Sequence, residues 1–319
     1  MPKNIKKYLE TQRAFSDLFF NPTEMTEEEL SARHQVFSLA LHSEVAELAN
    51  AVHYKDHRPT QTETQRQKIL YETVDVMRYC LAVLNLWEFT GEDFEDAFES
   101  RDAFLWDRET RGLQNWNGQP VVVVDVDDVL AQFRAGFFGW INKNFGLEFD
   151  IEDPSYYSRR SVGPFSNEEA YMEFIKAGGI RTLPVNENVV SSLKTLREKG
   201  YWIHLLTARP SENLKCLYDT SLWLALNKIP YDSVAFSTEK YRWLTDKEFF
   251  KQGKVVCAVD DSPKHAAEYA QQGLNVFVPK RAYNSDVWNK NNVILFDWWE
   301  DDLSEKIEGL LSQTSDESS

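Results

Sequence analysis

The chain has 319 residues, 42% hydrophobic and 13% aromatic, which allows two ordinary cores and excludes a disordered protein. Its formal charge of −16 excludes non-specific attraction to nucleic acid or an anionic membrane, so an anionic substrate would need metal ions or clustered Arg and Lys. No apolar run approaches the roughly 20 residues that span a bilayer.

Nothing after the basic start "MPKNIKKYLE" resembles a signal-peptide core. Cys80, Cys216 and Cys257 cannot all pair and match no zinc spacing, so a reduced, cytoplasmic compartment is expected.

Residues 1–112 read as an all-α bundle. Leu41, Val45, Leu48 and Val52 recur at helical spacing, and Gly91 is the only glycine before 110. "NPTEMTEEEL" offers Thr26 as a cap with acids in the following turn. Helices are predicted near 5–20, 27–54, 62–89 and 91–109. The glycines, asparagines and proline of "TRGLQNWNGQP" then predict a linker at 113–119.

Beyond it the pattern changes. "VVVVDV", "YWIHLLTA", "SVAFST", "VVCAVDD", "LNVFVPK" and "NVILFD" alternate with helical stretches such as "NVVSSLKTLREKG" and "SPKHAAEYAQQG". Over 120–305 this predicts an α/β doubly wound (Rossmann-like) parallel sheet, whose sites gather at the carboxyl ends of its strands. Residues 306–319 read as a disordered tail.

The four valines of "VVVVDVDDVLAQF" end in three aspartates. In a strand-like end Asp125 and Asp127 point the same way, into one crevice, where they repel unless a cation or shared proton relieves them. Asp128 reads as a cap for the next helix. "WIHLLTARP" ends at Thr207, followed by Ala208 and Arg209; "VVCAVDDSP" ends in Asp260 and Asp261; Lys240 follows "YDSVAFST".

These residues resemble the haloacid dehalogenase (HAD) superfamily, whose motifs are a DxDx[TV] after a strand, a Thr or Ser at a strand end, a Lys, and an acidic pair. The resemblance covers about 118–300. It implies that Asp125 attacks phosphorus and that Asp127 is acid and then base. It also implies Mg²⁺ held by the Asp125 carboxylate, the Asp127 main-chain carbonyl and Asp260 or Asp261, with Thr207 and Lys240 stabilising the transferring phosphoryl. Lys247 and Lys254 are rivals for the lysine role.

About 80 residues separate Asp125 from Thr207, and the excess, about 134–185, looks like a small cap. Its aromatics either stack a base or, as Phe137, Phe138 and Trp140, form the cap's own core. Arg159 and Arg160, with Ala208 and Arg209, are candidate phosphate-binding positions. "DVDDVLAQF" is similar to the DxDGVLAxF opening of 5′(3′)-deoxyribonucleotidases, with Asp128 in place of the glycine.

The helical half has its own acids. Glu44 and Glu47, three apart, share a helix face, as do Glu72 and Asp75, where Arg78 offers a local salt bridge as the plain alternative. ExxE, 24 intervening residues, then ExxD resembles the all-α nucleoside triphosphate pyrophosphohydrolases of the MazG-like and dimeric dUTPase-like group, over roughly 30–110. The resemblance implies that the four acids bind Mg²⁺ and that Lys55, Arg101 and Arg108 meet the phosphates. It also implies a homodimer or homotetramer through the helical domain. His42, His53 and His57 match no metal spacing and read as ordinary histidines.

Together the halves predict a bifunctional, Mg²⁺-dependent nucleotide hydrolase, taking a (d)NTP to the monophosphate and then to the nucleoside. One rival is a phosphatase of another phosphoester whose helical half only oligomerises. A second acts on polynucleotide 3′-phosphate ends, against which the acidic balance counts. A third is a nucleotide sensor, against which the full set of phosphotransfer residues counts.

Overall fold

The computed structural model describes residues 5–51, 63–150, 161–162, 165–297 and 302–316. The chain divides into two compact units, Met1–Phe98 and Glu99–Ser319. No helix of the described residues is long and apolar enough to cross a membrane.

The first unit is helical: α1 (Ile5–Ser16), α2 (Glu27–Ala51), α3 (Glu63–Leu86) and the start of α4 (Gly91–Thr110). α2 opens on a reciprocal cap, in which the Glu29 amide donates to Thr26 Oγ1 at 3.3 Å and the Thr26 amide to Glu29 Oε2 at 2.8 Å. Thr90 and Asp93 repeat that motif before α4. Leu9, Leu81, Ala82 and Leu86 are buried, whereas Val36, Leu39, Leu70 and Tyr71 leave an apolar face of α2 and α3 uncovered. On α1 the buried positions are Leu9, Gln12 and Ser16, so two of three inward residues are polar.

The second unit is built on a parallel six-stranded sheet of order β5-β4-β1-β6-β7-β8. Its strands are β1 (Val121–Val124), β4 (Trp202–Thr207), β5 (Ser233–Phe236), β6 (Val255–Val259), β7 (Val276–Pro279) and β8 (Val293–Phe296). A separate two-stranded ribbon joins β2 (Ser161–Val162) to β3 (Phe165–Ser166).

The sheet explains the four valines. Val122 and Val124 belong to one core and Val121 and Val123 to the other, so β1 is buried on both faces. The first core takes α5 (Phe133–Phe145), α6 (Asn167–Lys176), α7 (Glu187–Glu198) and α8 (Leu214–Leu226). The second takes α9 (Lys240–Thr245), α10 (Glu248–Lys251) and α11 (Pro263–Gln271). β1 lies between β4 and β6, the strands that carry the other motifs. Their carboxyl ends form the crevice where an open sheet places its ligands.

Two expectations change. Residues 113–119 are not a bare linker: Leu113 and Trp116 pack on the second core, and the Trp116 indole donates to the Gln119 carbonyl at 2.9 Å. Nor does order end at 305, because α12 (Leu303–Asp316) buries Leu303 and Ile307 one turn apart in the first core. Its many serines and acids masked that apolar stripe.

The segment between β1 and α7 has its two ends joined to each other. Ala131 bridges Val185, the Gln132 amide donates to the Pro184 carbonyl, and the Asn186 amide to the Leu130 carbonyl, both at 2.8 Å. Phe137 and Phe138 inside this segment are about 1% exposed, and Trp140 packs on Phe174 with ring centroids 5.6 Å apart. These aromatics form a core and are not free to stack a base.

Candidate active sites

In the second unit a cavity of about 440 Å³ is lined by Asp125, Asp127, Asp128, Ala208, Arg209, Lys240, Asp261, Ser262 and His265, with Phe133, Asn167, Glu168 and Tyr171. Asp125 follows β1 directly, and its Oδ1 accepts from the Val126 amide at 2.7 Å. Lys240 opens α9 and is 1% exposed. Its ammonium lies 2.7 Å from Asp125 Oδ1 and 2.8 Å from Asp260 Oδ2, bridging strands β1 and β6. By contrast Lys247 sits over the Trp243 ring at 4.1 Å, and the Lys254 side chain is exposed.

Arg209 lies wholly against Asp127. Its Nε donates to Asp127 Oδ2 at 3.0 Å and its Nη2 to Oδ1 at 2.6 Å, while Nη1 donates to Thr220 at 3.0 Å. This fork fixes the Asp127 carboxylate on the cavity wall. Arg209, a substrate-binding candidate in the sequence, lines the cavity and also holds a protein carboxylate there. Thr207 stands at the end of β4 as expected, but it is fully buried and does not line the cavity. Its hydroxyl accepts from the Arg209 amide at 3.3 Å.

Asp128 has φ +52°, the left-handed region that glycine adopts freely and that Asp tolerates better than most residues. Its Oδ1 accepts from the Arg134 amide at 3.0 Å, at the start of α5. The cap explains why an aspartate stands at a position suited to glycine.

The acids are crowded. Carboxylate oxygens of Asp125, Asp260 and Asp261 lie within 4.8 Å of one another. Burial, against the opposing pull of Lys240, pushes Asp125 up to about 7. Burial does the same to Asp128, also to about 7, and raises Asp260 and Asp261. Lys240 rises as well: burial would lower it, but Asp125 and Asp260 outweigh that and hold it above its usual range. A nest of buried, proton-seeking carboxyl oxygens fits a hard divalent cation such as Mg²⁺.

Three groups here carry no obvious signal in the sequence. Tyr283 donates to Asp261 Oδ2 at 2.7 Å, and Asn284 donates to the Asp261 carbonyl at 3.0 Å, both from the turn after β7. His265, one turn into α11, is 7% exposed, and burial and the neighbouring Lys240 lower it to about 4, so it is neutral. Only the Pro263 helix start hinted that α11 would aim a side chain back at the acid pair.

In the first unit, oxygens of Glu44, Glu47 and Glu72 lie within 4.8 Å of one another. Burial, then the charges of Glu47, Asp75 and Glu72, raise Glu44. Asp75 joins Glu44 on the wall of a second cavity, of about 500 Å³. Arg78 donates to Gln12 Oε1 at 3.3 Å and lies 4.8 Å over the Phe15 ring, so it does not supply the local Asp75 salt bridge. Lys68, one turn before it on α3, lies 4.0 Å from Glu72.

The proposed phosphate ligands fare differently. Arg101 donates to Tyr218 at 2.8 Å and Arg108 to its neighbour Glu109 at 2.7 Å, both within the second unit. Their guanidiniums are occupied there, drawn by an aromatic shelf and an adjacent acid. Lys55, Arg159, Arg160, His53 and His57 lie outside the described residues. His42 Nδ1 is 2.6 Å from the Ser38 carbonyl one turn back, an ordinary helix contact.

No protein-family model matches this chain, and no curated protein matches it. Among solved structures it is similar to a predicted phosphatase from Clostridium acetobutylicum, at 15% identity and a TM-score of 0.44, over 61% of this chain and 100% of that one. A HAD family hydrolase from Deinococcus radiodurans R1, solved with bound phosphate and sodium, is similar at 12% identity and a TM-score of 0.42, over 60% and 97%. A HAD-superfamily hydrolase from Ehrlichia chaffeensis is similar at 14% identity and a TM-score of 0.36, over 62% and 100%.

Proposed function

We propose that the chain is a bifunctional, Mg²⁺-dependent nucleotide hydrolase. The helical unit takes a (d)NTP to its monophosphate and pyrophosphate, and the α/β unit, a HAD-type phosphatase, takes the monophosphate to the nucleoside and phosphate. The observation that carries the second activity is Lys240 between Asp125 and Asp260, at 2.7 and 2.8 Å, on a cavity shared with Asp127.

Asp125 attacks phosphorus, forming an aspartyl-phosphate as the bond to the leaving oxygen breaks. Asp127, aimed by Arg209, gives that oxygen its proton. It then takes one from the water that cleaves the aspartyl-phosphate and restores Asp125. Lys240 offsets the charge of Asp125 and of the approaching phosphoryl. Mg²⁺, held by the Asp125 carboxylate, the Asp127 main-chain carbonyl and Asp260 or Asp261, would supply charge neutralisation at the phosphoryl oxygens.

In the helical unit Glu44, Glu47, Glu72 and Asp75 are the ligands proposed for Mg²⁺, and the close approach of the first three supports this. A homodimer or homotetramer through this unit is part of the reading. Leu39 at 73% exposed and Tyr71 at 67% exposed, on α2 and α3, support a covered face.

The test is product analysis with each NTP and dNTP plus Mg²⁺. Wild type should yield nucleoside, Asp125→Asn should accumulate monophosphate, and Glu72→Gln should leave triphosphate intact. Triphosphate consumed by Glu72→Gln at the wild-type rate removes the first activity. A 3′-phosphorylated DNA end processed faster than any monophosphate replaces the second.

A further inference from the structure

Asp219, Thr220 and Ser221 are consecutive polar residues of α8, none more than 3% exposed, followed directly by the apolar Leu222, Trp223 and Leu224. Packing alone calls for apolar side chains at such buried positions. Thr220 Oγ1 donates to the Cys216 carbonyl one turn back at 2.7 Å and accepts from Arg209 Nη1 at 3.0 Å. The first bond fixes the Thr220 side chain, which keeps its oxygen facing the guanidinium.

The helix that carries Thr220 is itself braced. Asp219 lies 2.9 Å from Arg181 Nη2 and 3.1 Å from Lys215 Nζ, and the Trp223 indole donates to the Leu183 carbonyl at 2.8 Å. Arg209 is thus held on two sides, its Nε and Nη2 on Asp127 and its Nη1 on α8. The Arg209 side chain is wholly buried, whereas that of Asp127 is 26% exposed. The fork therefore grips the carboxylate from the protein side and leaves its other side to the cavity. Held by the fork alone, arginine and carboxylate could swing together; the third bond, to Thr220, removes that freedom.

We propose that Thr220 is a positioning residue for the phosphatase reaction, holding Asp127 within reach of the leaving oxygen through Arg209. The proposal rests on the HAD-type reading of this unit. In it Asp127 gives its proton to the leaving oxygen as the P–O bond breaks and the bond from Asp125 to phosphorus forms. A carboxyl that swings away costs most where the leaving oxygen needs that proton. The alkoxide of a nucleoside needs it; p-nitrophenolate carries off the electron pair unprotonated.

The test compares kcat/KM for the nucleoside monophosphate that wild type cleaves best with kcat/KM for p-nitrophenyl phosphate. Both are measured on the full chain with Mg²⁺, in wild type, Thr220→Val and Thr220→Ser. This constant covers only the steps through release of the alcohol, so the later work of Asp127 as base does not enter. A misfolded fraction lowers both constants alike, and their ratio isolates positioning. Thr220→Val, of nearly the same shape, should lose about tenfold or more on the monophosphate and about twofold or less on p-nitrophenyl phosphate. Thr220→Ser, which keeps the hydroxyl, should stay within about twofold of wild type on both.

An unchanged ratio in Thr220→Val, whether both constants fall or neither does, overturns the inference and leaves the phosphatase reading standing. Wild type that cleaves neither ester removes the phosphatase reading and the inference with it.

Discussion

The two acid clusters are made in opposite ways. In the α/β unit the carboxylates sit at strand ends, buried, and two cations are locked among them: Lys240 on Asp125 and Asp260, Arg209 on Asp127. In the helical unit Glu44, Glu47 and Glu72 project from helix faces, Glu47 is exposed, and Lys68 sits 4.0 Å from Glu72. A parallel sheet fixes its strand ends from both sides, so it can hold charges apart from water in one geometry. Helix faces leave their acids near solvent, which softens their repulsion. The first arrangement carries its cost in burial, the second sheds part of it to water.

The sharpest way to break this contrast is Asp125→Asn. Monophosphate turnover should fall on the order of 10³-fold or more, since a nucleophile has no substitute; retained turnover, followed by phosphate release, would end its role. Next comes Arg209→Met, which leaves Asp127 facing a buried apolar chain. Loss of a buried partner should cost about 3 kcal/mol in urea unfolding of the α/β unit.

Glu72→Gln should act differently: pyrophosphate release falls about 10²-fold, as for a weakened metal ligand, while the urea midpoint holds. If this variant unfolded as readily as Arg209→Met, the open cluster would be structural like the buried one.

The pH dependence follows from the same contrast. Asp125 and Asp128, raised to about 7 in the fold, favour the protonated state, so their contribution is full below the ordinary carboxyl value near 3.9 and is lost as pH rises from there through 7. His204 and His265, lowered by burial to about 3 and about 4, contribute stability that is lost as pH falls below their ordinary value near 6.5. With EDTA present the two effects offset each other between about pH 4 and 6.5, so calorimetry should give a nearly level Tm there and a fall as pH rises past 7, which millimolar Mg²⁺ should flatten. A Tm that climbs from pH 6.5 to 8 without metal would contradict this.

The smallest effect belongs to Asp128→Gly. It relieves the positive φ but removes the cap on Arg134, two contributions of about 1 kcal/mol that offset each other. Unfolding free energy should move by less than either.

Much of this was legible beforehand because it depends on short-range pattern. Six apolar runs became the six strands of the sheet, and Thr26 became the cap of α2, since burial on two faces and capping leave local marks. What the pattern hid were partnerships across long separations. Nothing local to Arg209 shows that Asp127, 82 positions earlier, lies in its fork. Tyr283 and Asn284 reach Asp261 from a turn with no motif of its own. Gln12 and Ser16 did leave a mark, polar residues on the inward stripe of a short helix, but only the cavity beside them gives it meaning.

The stitched neck at Ala131 and Val185 has a consequence for how such a chain can change. The segment's ends are joined to each other, yet its rings Phe137, Phe138 and Phe174 share the first core with Val122 and Val124 of the strand that leads to Asp125. A substitution in those rings therefore reaches that strand end through packing, and the exposed positions of the segment are the ones free to vary.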